Sequence, residues 1–164
     1  SVTTMDNYIL INGKKAELTK EQLEQLGIKT DYFNPFARVD EGDVYYTING
    51  VCPLTEAKDG FDDNCFNKGN YFNNKEFAQQ IYLHVLLNCK LLRFSYVHKA
   101  NVDWTDSRNK KYYISYDNGN KEFVILSTFS CKSFDICFPS HFLASKAYNE
   151  IVKPFMEENP DFVW

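Results

Sequence analysis

The sequence predicts an α+β fold, with antiparallel β-hairpins packed on two main helices as a pseudo-repeat of hairpin-then-helix units. Three observations carry that prediction. Asn12-Gly13 and Asn49-Gly50 each sit between short strand-forming runs, the strongest local signal for a hairpin. A long apolar-periodic run extends from about Asn74 to His98. Finally, Phe72-Asn73-Asn74-Lys75-Glu76-Phe77-Ala78 resembles Phe138-Pro139-Ser140-His141-Phe142-Leu143-Ala144, and each string follows a Tyr-Tyr pair, Tyr45-Tyr46 and Tyr112-Tyr113. In this repeat the Phe is expected to fill the core and the Ala to let a helix approach the sheet.

Residues 1–28 are expected to form a hairpin-plus-helix extension. Tyr8 to Ile11 and Lys14 to Leu18 flank Asn12-Gly13, and Thr19 opens a helix. Thr19 with Gln22 makes a capping box, Leu18 with Leu23 a hydrophobic staple, and Gly27 a left-handed C-cap. Residues 29–42 are a linker interrupted by Asn34-Pro35, anchored by Phe33 and Phe36, with a turn at Asp40-Glu41-Gly42. The second domain, residues 34–164, carries the remaining elements. A hairpin spans 43–56, with strand formers through Ile48 and again from Val51. Residues 57–70 are a polar loop.

Asn73 is expected to cap the long helix, with Glu76 at its third position. Phe77, Ile81, Val85 and Leu92, with Ala78, Tyr82, Leu86 and Cys89 beside them, form a wide stripe expected to face the core. Residues 99–110 are a surface loop apart from Trp104. Three strands follow: Lys111 to Tyr116, Lys121 to Thr128 after an Asp117-Asn118-Gly119-Asn120 turn, and one around Phe134 to Phe138. Ser140 caps a last helix from His141 to about Lys153, which Pro154 ends or follows with a short extra turn.

Composition narrows the function. The 164 residues, 44% hydrophobic, can bury a core without metal or disulfide staples. A net charge of -4 weighs against a nucleic-acid coat or membrane-surface binder. With Arg38, Arg93 and Arg108 as the whole arginine complement, bidentate base reading is disfavoured. No apolar run approaches a membrane span, and Ser1 to Asn7 lacks the apolar core of a signal peptide. Five cysteines without a C-x-x-C pair suit reduced thiols in a cytosolic protein. The abundance of Asn, Lys, Tyr, Phe and Ile points to a low-GC genome.

No residue pattern calls for a catalytic centre, metal or cofactor. Cys89 and His84 are off the helical register for a thiol–imidazole pair, and Cys137 with His141 straddles a strand–helix boundary. Asp59-Gly60-Phe61-Asp62-Asp63-Asn64 does not follow calcium-loop spacing. Charge segregation is more informative. Seven acids and one base lie between Asp40 and Asp63, whereas six bases and two acids lie between Lys90 and Lys111. Both segments read as solvated loops. A sharper reading makes Glu56, Asp59, Phe61, Asp62 and Asp63 a protein-binding acidic loop complementary to a basic groove. Phe66 and Tyr71 either join Phe61 as interface anchors or fold inward. The alternative is a single-stranded nucleic-acid binder using Lys99, Arg108, Lys110 and Lys111 with aromatic stacking. A third reading is a cryptic enzyme acting on a nucleotide signal.

Several strings together resemble a family of small orphan proteins of phages and prophages of gut Firmicutes: Asn34-Pro35-Phe36-Ala37-Arg38-Val39, Val44-Tyr45-Tyr46-Thr47-Ile48, Gly69-Asn70-Tyr71-Phe72 with Ala78, Val102-Asp103-Trp104, Lys111-Tyr112-Tyr113-Ile114-Ser115-Tyr116, and Lys153-Pro154-Phe155-Met156-Glu157-Glu158-Asn159-Pro160-Asp161-Phe162. The likeness covers roughly residues 34–164 and consists mostly of core and turn positions. Some relatives of this kind resemble anti-CRISPR proteins. The resemblance therefore implies a non-enzymatic inhibitor that binds a host defence protein or ribonucleoprotein, with Cas9 as the first suspect, without a membrane and with nucleic acid secondary. It carries over no functional residue and leaves the oligomeric state open.

Overall fold

The computed structural model describes residues 8–11, 14–27, 34–130 and 136–164. The chain divides into two compact units, Ser1–Pro35 and Phe36–Trp164.

In the first unit, β1 (Tyr8–Ile11) pairs antiparallel with β2 (Lys14–Glu17), Tyr8 opposite Glu17. Helix α1 (Lys20–Gln25) follows. Its N-terminus is closed by the expected reciprocal cap: the Thr19 N–H donates to Gln22 Oε1 at 2.9 Å and the Gln22 N–H to Thr19 Oγ1 at 3.3 Å. Leu23 is buried, and Gly27 takes the left-handed conformation, φ +69°. Asn12, Gly13 and Phe33 lie outside the described residues.

The second unit is an α+β body built from two hairpin-then-helix halves. In the first half, β3 (Val44–Tyr46) pairs antiparallel with β4 (Pro53–Thr55). Both strands are shorter than expected, because Thr47 to Cys52 forms a wide turn rather than a two-residue one: Gly50 and Val51 both take positive φ, and the Gly50 N–H reaches back to the Ile48 carbonyl. Residues 57–70, expected as loop, contain helix α2 (Gly60–Asn67). Its signal was an acidic capping box. The Asp59 carboxylate accepts from the Phe61 and Asp62 N–H groups, and Asp62 reaches back to the Asp59 N–H. Helix α3 (Lys75–Val97) starts one residue later than expected, with Asn74 Oδ1 accepting from the Phe77 N–H at 2.7 Å.

In the second half, β5 (Lys111–Asp117) pairs antiparallel with β6 (Glu122–Thr128). At their turn the Asp117 carboxylate captures the N–H groups of Gly119 and Asn120, and Lys121, not Gly119, takes the positive φ. Of the expected third strand, residues 131–135 lie outside the described residues, and Phe138 makes a single bridge to Tyr112. Helix α4 (His141–Ala147), capped by Ser140, continues through a wider π turn (Tyr148–Val152) into α5 (Lys153–Glu158). The π turn explains how Pro154 sits inside a continuous helix. A prolyl ring clashes with the carbonyl four residues back, and the wider turn, closed by the Lys153 N–H on the Tyr148 carbonyl, relieves that clash.

The pseudo-repeat is explicit in the backbone. Tyr46 and Phe72 exchange both N–H···O bonds, at 2.7 and 2.9 Å, and Tyr112 and Phe138 do the same at 2.9 and 2.7 Å. Phe72 and Phe138 are fully enclosed, as are Ala78 and Ala144 one helical turn beyond their caps. The register matches Tyr46 with Tyr112, one residue away from the Tyr-Tyr alignment expected.

Helix α3 serves both halves from opposite faces. Near its start Ala78 packs with Val51 and Phe72. Further on, the opposite face (Leu83, Leu87, Leu91, Phe94) enters the main core with Ile114, Phe138, Ala144, Val152 and Phe155. Hence the expected stripe is only partly buried. Phe77 and Ile81 pack against the first half, whereas Val85, Cys89 and Leu92 face solvent. Periodicity found an apolar helix, but an apolar residue on every side left the choice of face to the packing partners.

Candidate protein-interaction surface

The acidic segment divides into a buried frame and an exposed tip. Glu56 follows β4 and is 1% exposed. Arg38 grips it with Nε to Oε2 at 3.1 Å and Nη2 to Oε1 at 2.8 Å, while Arg38 Nη1 reaches Asp63 Oδ1 at 2.6 Å. The Tyr71 hydroxyl donates to Glu56 Oε2 at 2.5 Å, and the Lys58 N–H to Oε1 at 2.9 Å. Asp62, also buried, accepts from the Tyr45 hydroxyl at 2.7 Å and the Ala57 N–H at 2.7 Å. The two tyrosine rings stack at 4.0 Å.

This hydrogen bonding sets the ionisation states. The Arg38 guanidinium beside Glu56 lowers its carboxyl to about 2. In turn Glu56, then Asp63, raises the Arg38 pKa. Burial first, then Glu56, pushes the Tyr71 phenol up to about 12; burial first, then Asp62, pushes Tyr45 up. The frame is therefore carboxylate, guanidinium and neutral phenols at neutral pH, each group satisfied. Sequence reading missed it because Arg38, Glu56, Asp62 and Tyr71 are distant in the chain, and acids in a turn-rich stretch look solvated.

The expected five-residue acidic face is corrected accordingly. Glu56 and Asp62 point inward, because their oxygens are taken by Arg38, two phenols and backbone N–H groups. Asp59, Phe61 and Asp63 remain exposed around the start of α2, with Phe61 58% exposed, although one oxygen of Asp59 caps the helix and one of Asp63 is held by Arg38. Tyr71 folds inward, and Phe66 packs edge-on against it at 5.4 Å under the Arg38 guanidinium.

The basic segment is corrected too. Lys111 is 2% exposed, and its ammonium donates to the carbonyls of Asp106, Asn109 and Phe129. All three N–H bonds are spent inside the fold, so Lys111 is removed from any phosphate-facing set. Lys99, Arg108 and Lys110 stay exposed, Arg108 against Asp106 at 3.1 Å and Lys110 over the Phe129 ring at 5.7 Å. A cavity of about 390 Å³ has Asn101, Asp103, Asn109, Lys110, Lys111 and Tyr112 among its lining residues. Asp103 there accepts from the N–H and hydroxyl of Thr105, which hold its pKa down.

Cys52, Cys65 and Cys89 are free thiols. No described helix is long and apolar enough to cross a membrane. The chain matches no protein-family model, no curated protein and no solved structure.

Proposed function

We propose that this protein is a phage-encoded, non-enzymatic inhibitor of a bacterial defence system, acting by protein–protein binding, with Cas9 the first partner to test. The observation that supports the reading is the tip of α2: an exposed aromatic, Phe61, flanked by the exposed Asp59 and Asp63 and held on a fully bonded frame. An exposed aromatic with a polar rim on a rigid support is the usual composition of a binding hot spot. The carboxylates would complement a basic groove of the kind that holds nucleic acid. The family resemblance of residues 34–164 points the same way.

The test is a pull-down with Cas9, with and without guide RNA, at low salt. The reading expects a complex that weakens as salt rises. No complex under either condition would remove the Cas9 assignment. A salt-dependent shift of single-stranded DNA by the protein alone would move the function to Lys99, Arg108 and Lys110.

A further inference from the structure

The cavity of about 390 Å³ at the start of β5 serves neither the α2 tip nor the core. Three stretches of chain line it: Asn101 to Asp103 beyond the end of α3, Asn109 to Tyr112 leading into β5, and Pro139, next to the Phe138 that bridges to Tyr112. Lys111 ties this wall to the fold, because its buried ammonium holds the carbonyls of Asp106, Asn109 and Phe129. Three lining side chains keep unused hydrogen-bonding capacity. Thr105 gives two bonds to the Asp103 carboxylate, both at Oδ1, where such a group accepts about four. Those bonds first, and the Lys111 charge after them, lower the Asp103 pKa, so it is ionised at neutral pH. Asn109 Nδ2 donates to Asp106 Oδ2 at 2.8 Å, which leaves Asn109 Oδ1 to accept. The Lys110 ammonium lies 5.7 Å from the Phe129 ring centroid and has three N–H bonds to give.

We propose that this cavity binds a nucleoside 5′-monophosphate, with the phosphate on Lys110, a ribose hydroxyl or base N–H on Asp103, and the base against Tyr112 and Pro139. The two lysines outnumber the one carboxylate in the lining, so the cavity favours an anion. Asp103 requires that the same ligand also carry a hydrogen-bond donor, which a bare phosphate dianion lacks. The rings of Tyr112 and Pro139 offer a surface for a flat group, as aromatic side chains do for single bases. An apolar ligand would strip water from Lys110 and Asp103 without replacing its hydrogen bonds. The volume lies near the lower end of the range for small-molecule sites, which suits one nucleotide rather than two.

Calorimetric titration of the full chain at low salt with AMP, GMP, CMP and UMP tests this. Cas9 takes no part, so the result stands apart from the proposed function. At least one monophosphate is expected to bind, with Kd on the order of 10–100 µM, and inorganic phosphate and the matching nucleoside at least tenfold more weakly. Lys110→Ala should weaken the nucleotide at least tenfold and leave the urea midpoint unchanged. Asp103→Ala should also weaken the nucleotide at least tenfold, yet leave inorganic phosphate no weaker, because it removes a donor's partner and a like charge together. Lys153→Ala, at an exposed position on α5, should change nothing, which separates the site from general attraction to a cation. A pentathymidylate titration distinguishes a free nucleotide from a strand. No binding of any monophosphate up to about 5 mM would overturn the inference. So would equal binding of inorganic phosphate, indifference to Lys110→Ala and Asp103→Ala, or binding of the oligonucleotide in place of the mononucleotides.

Discussion

Arg38 holds Glu56 by two parallel N–H···O bonds, at 3.1 and 2.8 Å, and spends its remaining nitrogen on Asp63. One guanidinium thereby ties the end of β4 to α2 and fixes the base on which the Phe61 tip stands. A point-charge ammonium cannot reproduce that fork. Arg38→Lys is therefore expected to lower the urea midpoint, and Arg38→Ala to lower it further by leaving Glu56 buried and without its cation. Equal midpoints for Arg38→Lys and the wild type would show that the fork geometry contributes nothing.

Acid should loosen the same frame. The Glu56 carboxyl titrates near 2 in the fold, against an ordinary carboxylate value of 4.5 in the unfolded chain. The folded state thus binds fewer protons, and this contribution is complete above about pH 4.5 and lost as pH falls towards 2. Urea midpoints measured across that window are expected to drop. Asp103, Asp106 and Asp117 are also held low by their hydrogen bonds and steepen the same trend. Glu56→Gln should flatten the curve; an identical slope would assign the acid sensitivity to the three aspartates.

The paired halves predict paired costs. Phe72 and Phe138 occupy equivalent bridges, and both are enclosed. Phe72→Ala and Phe138→Ala should each cost about 3–5 kcal/mol in denaturant unfolding. Ala78→Leu and Ala144→Leu should each cost about 1–3 kcal/mol by overpacking the helix–sheet contact. A tolerated leucine at either site would mean that the helix does not need the close approach.

Lys111 organises the segment from Asn101 to Lys110. Its ammonium gathers three carbonyls and lies 5.8 Å from the Trp104 ring. Lys111→Met keeps the aliphatic stem but orphans the carbonyls, at a cost of about 1–3 kcal/mol. Hydrogen exchange should quicken in residues 101–110 before the β5–β6 ladder responds. Uniform acceleration of both would indicate a global effect.

Local signals were legible in the sequence. The Thr19–Gln22 cap, the hairpins, the Ser140 cap and the Phe–Ala repeat each rest on residues a few positions apart, where backbone sterics and hydrogen bonding decide. Helix α2 was missed although Asp59 and Asp62 form its capping box, because Gly60 and a run of acids and Asn resemble a turn. Burial of Glu56, Asp62 and Lys111 depends on partners far along the chain, Arg38 and Tyr45 for the acids and the Phe129 carbonyl for the lysine. Their charge alone suggested solvent. The exposed half of the α3 stripe was hidden for the reverse reason: apolar spacing identifies a face but not whether another element covers it.

Phe61 at the tip of α2 is the expected point of contact with the partner. Phe61→Ala removes the exposed ring without touching the Asp59–Asp62 cap or the Arg38 frame, unlike charge reversal at Asp59, Asp62 or Asp63. The decisive measurement is an equilibrium titration of guide-loaded Cas9 with the wild type and with Phe61→Ala. Affinity should fall about thirtyfold at an unchanged urea midpoint. Equal affinities for the two proteins would contradict the account.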